Sequence, residues 1–224
     1  SEFRRAIADD ELVLFHQPIV DTRTGRASQV EALVRWQHPT RGLLAPGAFI
    51  DVAEESGLIV PLGSWVLEHA AAQLARWDAE GRSVERVWIN MSAAELRAPG
   101  YAERAVAVLE AHGLAPERIG LELTERVLLD EALETGGEFT ALAEGGFDIA
   151  IDDFGVGYSS LRYLHVHPVH TLKIDHAFVS TIDRGPRETA VPNAVIRLGH
   201  GLGYQVTAER SEEHTSELQS HHDL

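Results

Sequence analysis

The stretch FDIAIDDFGVGYSSL, Phe147 to Leu161, sends an apolar run straight into two adjacent carboxylates, Asp152 and Asp153, and then into a segment carrying Gly155 and Gly157. Neighbouring anions repel, so a fold that sets them at the end of a buried strand needs something positive, or a shared proton, between them. A metal ion, a basic side chain and a shared proton all meet that need.

Working outward, similar alternating or apolar runs recur along the chain: ELVLFHQPIV, ASQVEALVRW, RVWINMS, RIGLELTE, VHTLKID and GYQVTAE, which with FDIAIDD make seven strand candidates. Between them FIDVAEESGL, PLGSWVLEHAAAQLARWDAEG, GYAERAVAVLEAHGL, LLDEALETGGEFTALAEGG and PRETAVPNAVIRLGHGLG place apolar residues at helical spacing, with Gly81, Gly113 and Gly201 as expected C-caps. Strands alternating with helices imply an α/β fold with a largely parallel sheet, open or closed. Glu31, Asn90, Glu122, Asp152, Lys173 and Glu209 each fall at or near the end of a separate run, and a closed barrel gathers strand ends around one mouth. One acidic residue at a strand end is ordinarily a helix cap or a solvated loop group. Six polar residues in the same relative place point to a site.

Composition narrows the chemistry. The 224 residues are 44% apolar, enough for a sizeable core, and the absence of cysteine removes disulfides and thiolate metal sites. Any metal must then be held by oxygen or imidazole donors, which favours magnesium, manganese or calcium. The formal charge of -16 argues against capture of DNA or RNA. No apolar run approaches a membrane span and no secretion signal is seen, so the expectation is a cytoplasmic domain without direct membrane insertion. Dinucleotide fingerprints, phosphate-cradling P-loops and Ser-centred nucleophile elbows are all absent. His165, His167 and His170 of HVHPVH surround Pro168 and read as loop residues with no catalytic role.

EALVRW, INMS, LELTE, DDFGVGYSSL and LKID occur in the order and approximate spacing of the EAL-domain family, and QPIV and FIDVAEESGLIVPLGSWVL extend the resemblance from about Glu11 to Glu209. The resemblance implies a TIM-like (β/α)8 barrel whose first strand runs antiparallel to the others. It also implies an enzyme that opens cyclic di-GMP to linear pGpG with two magnesium or manganese ions and is inhibited by calcium. In that picture Glu31, Asn90, Glu122 and Asp152 hold the first ion and Asp153 is the main protein ligand of the second, so cations separate the two adjacent anions. Ions in two-metal sites lie roughly 3.5–4 Å apart. Lys173 orients the attacking water, Asp175 supports the second site from the same side of its strand, and Glu209 matches the general base. Arg35 of the EALVR signature resembles a phosphate clamp, while Gln17 and Leu33 match positions that contact the dinucleotide. Glu125 resembles the glutamate that anchors the loop DFGVGYSSL. The alternative is a member that binds cyclic di-GMP without turnover, or an interaction module. A homodimer and an upstream GGDEF or sensor domain are the expected partners, with membrane anchoring of the parent protein left open.

After Glu209 the chain departs from the family pattern. Arg210 to Ser220, RSEEHTSELQS, can be written in codons as a common sequencing-library adapter, so residues 210–224 are expected to be a non-native tail. The EAL domain is then expected to span residues 1–209 and to lack its last strand and helix. Unpaired sheet edges follow from that, and with them poor solubility and little activity for the chain as written.

Overall fold

A computed structural model describes residues 2–9, 11–128, 137–155, 164, 168–180 and 185–208. All seven runs read as strands are strands. The chain divides into two compact units, Ser1–Leu123 with Val127–Ile149, and Thr124–Arg126 with Ala150–Leu224.

In the first unit β1 (Leu12–Val20) and β2 (Ala27–His38) form an antiparallel pair, with Leu12 opposite Trp36 at one end and Val20 opposite Ala27 at the other. A three-residue strand, β3 (Gly42–Leu44), continues the antiparallel pairing at the far end of β2. Parallel pairing begins where β2 meets β4 (Arg86–Asn90) over Gln29–Ala32, and β4 in turn pairs in parallel with β5 (Ile119–Thr124). The helices are α1 (Glu2–Ala8), α2 (Ile50–Glu55), α3 (Ile59–Ala79), α4 (Ala93–Leu96) and α5 (Tyr101–Ala111). α6 (Glu125–Leu128) follows β5 directly, and α7 (Glu138–Glu144) precedes β6 (Asp148–Phe154). Leu74, Val87, Leu109, Ile119 and Leu142 are fully buried, so α3, α5 and α7 lay apolar faces on a core shared with the parallel strands. Gly120 stands opposite Trp88 in the β4/β5 ladder, and a Cβ there would lie 2.2 Å from the indole. Glycine is what lets Trp88 lie across β5 and donate from Nε1 to Gln29 Oε1 at 2.7 Å.

In the second unit β6 pairs in parallel with β7 (Thr171–Ile174), and β7 with β8 (Gln205–Ala208). α8 (His176–Val179) and α9 (Pro186–Leu202) lie between β7 and β8 in sequence. The β6/β7 ladder loses step once: Ile151 pairs with Leu172 but Phe154 pairs with Ile174, so Asp152 and Asp153 together oppose the single residue Lys173. This is the two-against-one count of a β-bulge. Asp153 has φ 55, a left-handed backbone that no other described non-glycine residue adopts.

Two expectations change. Gly81 and Gly113 do take left-handed angles just past α3 and α5, but Gly201 lies inside α9, and it is Gly203, at φ 79, that ends the helix by donating to the Gly199 and His200 carbonyls. Glu31 is not a strand-end residue of β2 as a whole, because the antiparallel ladders to β1 and then β3 carry β2 on to His38; it sits near the end of the shorter parallel ladder to β4. Among the described residues no helix is long and apolar enough to cross a membrane.

One buried acid stands apart from the strand-end residues. Glu95, at the third position of α4, is 2% exposed, and burial pushes its carboxyl up to about 7 against the opposing pull of hydrogen bonds from Ser92 and Tyr101. A raised folded-state value means the native protein binds the proton more tightly than the unfolded chain. The stabilisation is therefore complete below about pH 4.5 and is lost as pH rises through about 7. Urea unfolding at pH 5 and pH 8 is expected to show Glu95→Gln gaining on the native sequence by up to about 3 kcal/mol at the higher pH. An equal difference at both values would rule the titration out.

Candidate active site

In the first unit the site residues come together through strand register. Gln17 on β1 stands opposite Glu31 on β2, and Asn90 on β4 stands beside Glu122 on β5. Asn90 Nδ2 donates to Glu31 Oε1 at 3.0 Å, which joins the two pairs and leaves the carbonyl oxygen of the amide to offer its lone pairs as an acceptor. Glu122 is 1% exposed, and a carboxylate so far from water is costly unless it is paired or hydrogen-bonded. Its own backbone carbonyl accepts from Met91 N at 2.9 Å, which ties the end of β4 to β5. Leu33 and Arg35 follow Glu31 at two-residue intervals and so share its face of β2. The buried Arg35 donates from Nη1 to Val34 O at 2.9 Å, with its guanidinium 5.6 Å from the Phe15 ring centre.

In the second unit the bulge sets two acids against one lysine. Lys173 is 2% exposed and its Nζ lies 3.5 Å from Asp152 Oδ1, while Asp153 N donates to the same oxygen at 2.9 Å. Asp153 is pushed up to about 6, first by partial burial, then by the charge of Asp152 and by Asp175, with Lys173 pulling the other way. Asp175 is not on β7, contrary to the expectation that it shares a strand side with Lys173. The strand stops at Ile174, and Asp175 is the N-cap of α8, its Oδ1 accepting from Ala177 N at 2.6 Å. Its negative charge is one of the influences that raise the Asp153 carboxyl. Glu125 Oε2 accepts from Gly155 N at 3.4 Å, and Glu125 Oε1 is buried with no hydrogen-bond donor among the described residues. Gly155 has φ 102, and a Cβ there would stand 3.2 Å from the Phe178 ring. Glu209, residues 156–161 of the DFGVGYSSL loop, and His165 and His167 lie outside the described residues.

The donor chemistry fits hard divalent cations. Glu31, Asn90 and Glu122 offer only carboxylate and amide groups, and Asp152, Asp153 and Asp175 crowd three acids around one lysine. Among the described residues no three His, Asp or Glu side chains close into a cage. Magnesium commonly keeps several waters and takes only one or two carboxylates, so such a cage is not a requirement.

The profile of the EAL domain family matches residues 1–216. The cyclic di-GMP phosphodiesterase PA2567 of Pseudomonas aeruginosa is 40% identical over 201 residues, 90% of this chain and 34% of that protein. The bifunctional diguanylate cyclase/cyclic di-GMP phosphodiesterase MucR of the same organism is 37% identical over 208 residues, 93% of this chain and 30% of that protein. The chain thus spans about a third of the length of these relatives. Among solved structures, the PaMucR phosphodiesterase in complex with c-di-GMP matches with a TM-score of 0.87 at 35% identity, covering 98% of this chain and 90% of that one. The antiparallel β1, the parallel strands that follow and this match together give the fold as the α/β, TIM-like EAL type. From the strand register at Glu31, Asn90 and Glu122 to the extent of these similarities, the chain belongs to the EAL-domain family.

Proposed function

We propose that this domain is a metal-dependent cyclic di-GMP phosphodiesterase that releases linear pGpG. The observation that carries the reading is the bulge in β6, which spends an extra residue to bring two acids against one lysine. Such an arrangement is poorly neutralised by the chain alone, and the family membership supplies the substrate.

Glu31, Asn90 and Glu122 are the proposed holders of one magnesium or manganese ion, and Asp152 and Asp153 serve different ions, with Asp175 supporting Asp153. Cations held there would supply positive charge to acidify a water and to offset the charge of a phosphodiester. Arg35 offers a planar fork of donors to a phosphate, and its burial against Phe15 keeps that fork from wandering. Lys173 holds a proton at Nζ beside Asp152, where it can orient a water and balance the acid. Gln17 and Leu33 are proposed to contact the dinucleotide, Glu125 to anchor the loop through Gly155, and Glu209 to act as base. Calcium is expected to inhibit, because its larger and looser coordination spoils alignment. MucR bears a cyclase activity in its name, so a GGDEF domain in the parent polypeptide is proposed; a cytoplasmic setting and a homodimer are proposed from the family resemblance alone.

The test is chromatography of cyclic di-GMP incubated with the domain as encoded by its parent gene, with manganese, magnesium or calcium. Formation of pGpG with the first two and little with calcium is expected. Binding without product would replace the enzyme by a receptor, and absence of binding would leave an interaction module.

A further inference from the structure

The end of β4 is held by more than the sheet. Asn90 is its last residue, and the next two backbone donors are both claimed: Met91 N by the Glu122 carbonyl at 2.9 Å, and Ser92 N by Glu95 Oε2 at 2.8 Å. Ser92 Oγ donates to the same oxygen at 2.7 Å, and Glu95 N returns a bond to Ser92 Oγ at 3.3 Å. This is a capping box, a device usually found on exposed helix starts. Here it caps a helix of only four residues, too short to gain much from a cap, and its acid is buried.

The surroundings are shaped for that acid. Tyr101 donates from its hydroxyl to Glu95 Oε1 at 3.5 Å, tying the carboxylate to the start of α5. On the α3 side Gly63 leaves the space: a Cβ there would stand 1.7 Å from Glu95 Oε1. An apolar residue at position 95 would fill the same room without the cost of burying an acid. What the acid adds is a fixed grip on Ser92, and the side chain nearest upstream of that grip with a chemical task is Asn90.

We propose that Glu95 is a positioning residue for Asn90, its carboxylate fixing the backbone at Ser92 so that the Asn90 amide stays aligned on Glu31 and presents its oxygen to a divalent cation. The inference rests on the reading of Asn90 as a metal ligand, and it adds a residue that touches neither cation nor substrate. Glu95→Gln keeps an acceptor oxygen for Ser92, whereas Glu95→Leu keeps volume and loses the grip. Ser92→Ala is the milder variant, removing only the hydroxyl.

Three readouts test it on the domain. The first is the side-chain amide resonances of Asn90 in the metal-free protein, assigned by their loss in Asn90→Asp. Glu95→Leu is expected to move them toward the values of a solvated amide, Ser92→Ala to move them less, and Glu95→Gln to leave them in place. The second is manganese affinity by calorimetry, expected to fall about 10–100-fold in Glu95→Leu, as loss of an outer partner of a ligand does, and to recover in Glu95→Gln. The third is turnover, where kcat should fall with KM for cyclic di-GMP unchanged. Resonances that stay put in a folded Glu95→Leu, or in Ser92→Ala should Glu95→Leu not fold, overturn the proposal. Resonances that move as expected in a domain without hydrolysis would sink the phosphodiesterase reading and leave the positioning role standing.

Discussion

Glu122→Gln is expected to cut cyclic di-GMP hydrolysis by more than the roughly 10–100-fold that loss of an outer-shell partner costs a metal site. The substitution keeps the volume, the planar head and one oxygen, and it removes only charge. Glu122 is almost wholly buried in β5 beside Asn90, so no solvent ion takes the place of that charge. The fold should survive, since the tie from Met91 N runs to the backbone carbonyl of residue 122 and not to its side chain. Turnover measured by chromatography, manganese uptake by calorimetry and Tm together give the result. Activity and metal uptake both falling at a near-native Tm is the expected outcome, and native turnover would remove Glu122 from the ligand set.

Lys173→Met is expected to strike both stability and turnover. Its ammonium lies 3.5 Å from Asp152 Oδ1, and both side chains are buried. Taking away one partner of a buried pair leaves the other uncompensated, at a cost of about 3–5 kcal/mol. Two acids in the bulge would then face a thioether, and Asp153, already raised by its neighbours, would lose the one nearby group that lowers it. Removal of a group that positions a reacting water costs about 10²–10⁴-fold in rate. Urea unfolding and single-turnover hydrolysis under conditions where the variant is folded separate the two effects. A large stability loss with native turnover would make Lys173 a structural counter-ion alone.

Much of this was legible in the sequence, for a physical reason. Strands that lie in a parallel sheet are apolar enough to show as runs, and FDIAIDD, RIGLELTE and RVWINMS all became strands near their expected bounds. The donors Glu31, Asn90 and Glu122 could be picked out because polar groups interrupt those runs at corresponding points. Short elements left no such trace: β3 has three residues and α4, α6 and α8 four each, less than two periods of either pattern. LKID reads as strand through Asp175, but an acid whose side chain can cap the next helix ends the strand one residue earlier. Ser92-x-x-Glu95 was readable as a capping box. Its burial was not, because the room for it is made by Gly63 on another helix.

The bulge also sets a rule for how this gene can change length. In a regular pleated strand, losing one residue shifts everything beyond it to the opposite face, which is why sheets resist deletion. Between Ile151 and Phe154 the arithmetic is inverted: excising either aspartate would bring β6 back into step with β7, and the ladder would be tidier for it. The mutation that mends the geometry is the one that erases the paired acids, so a shortened β6 could fold well and be chemically silent.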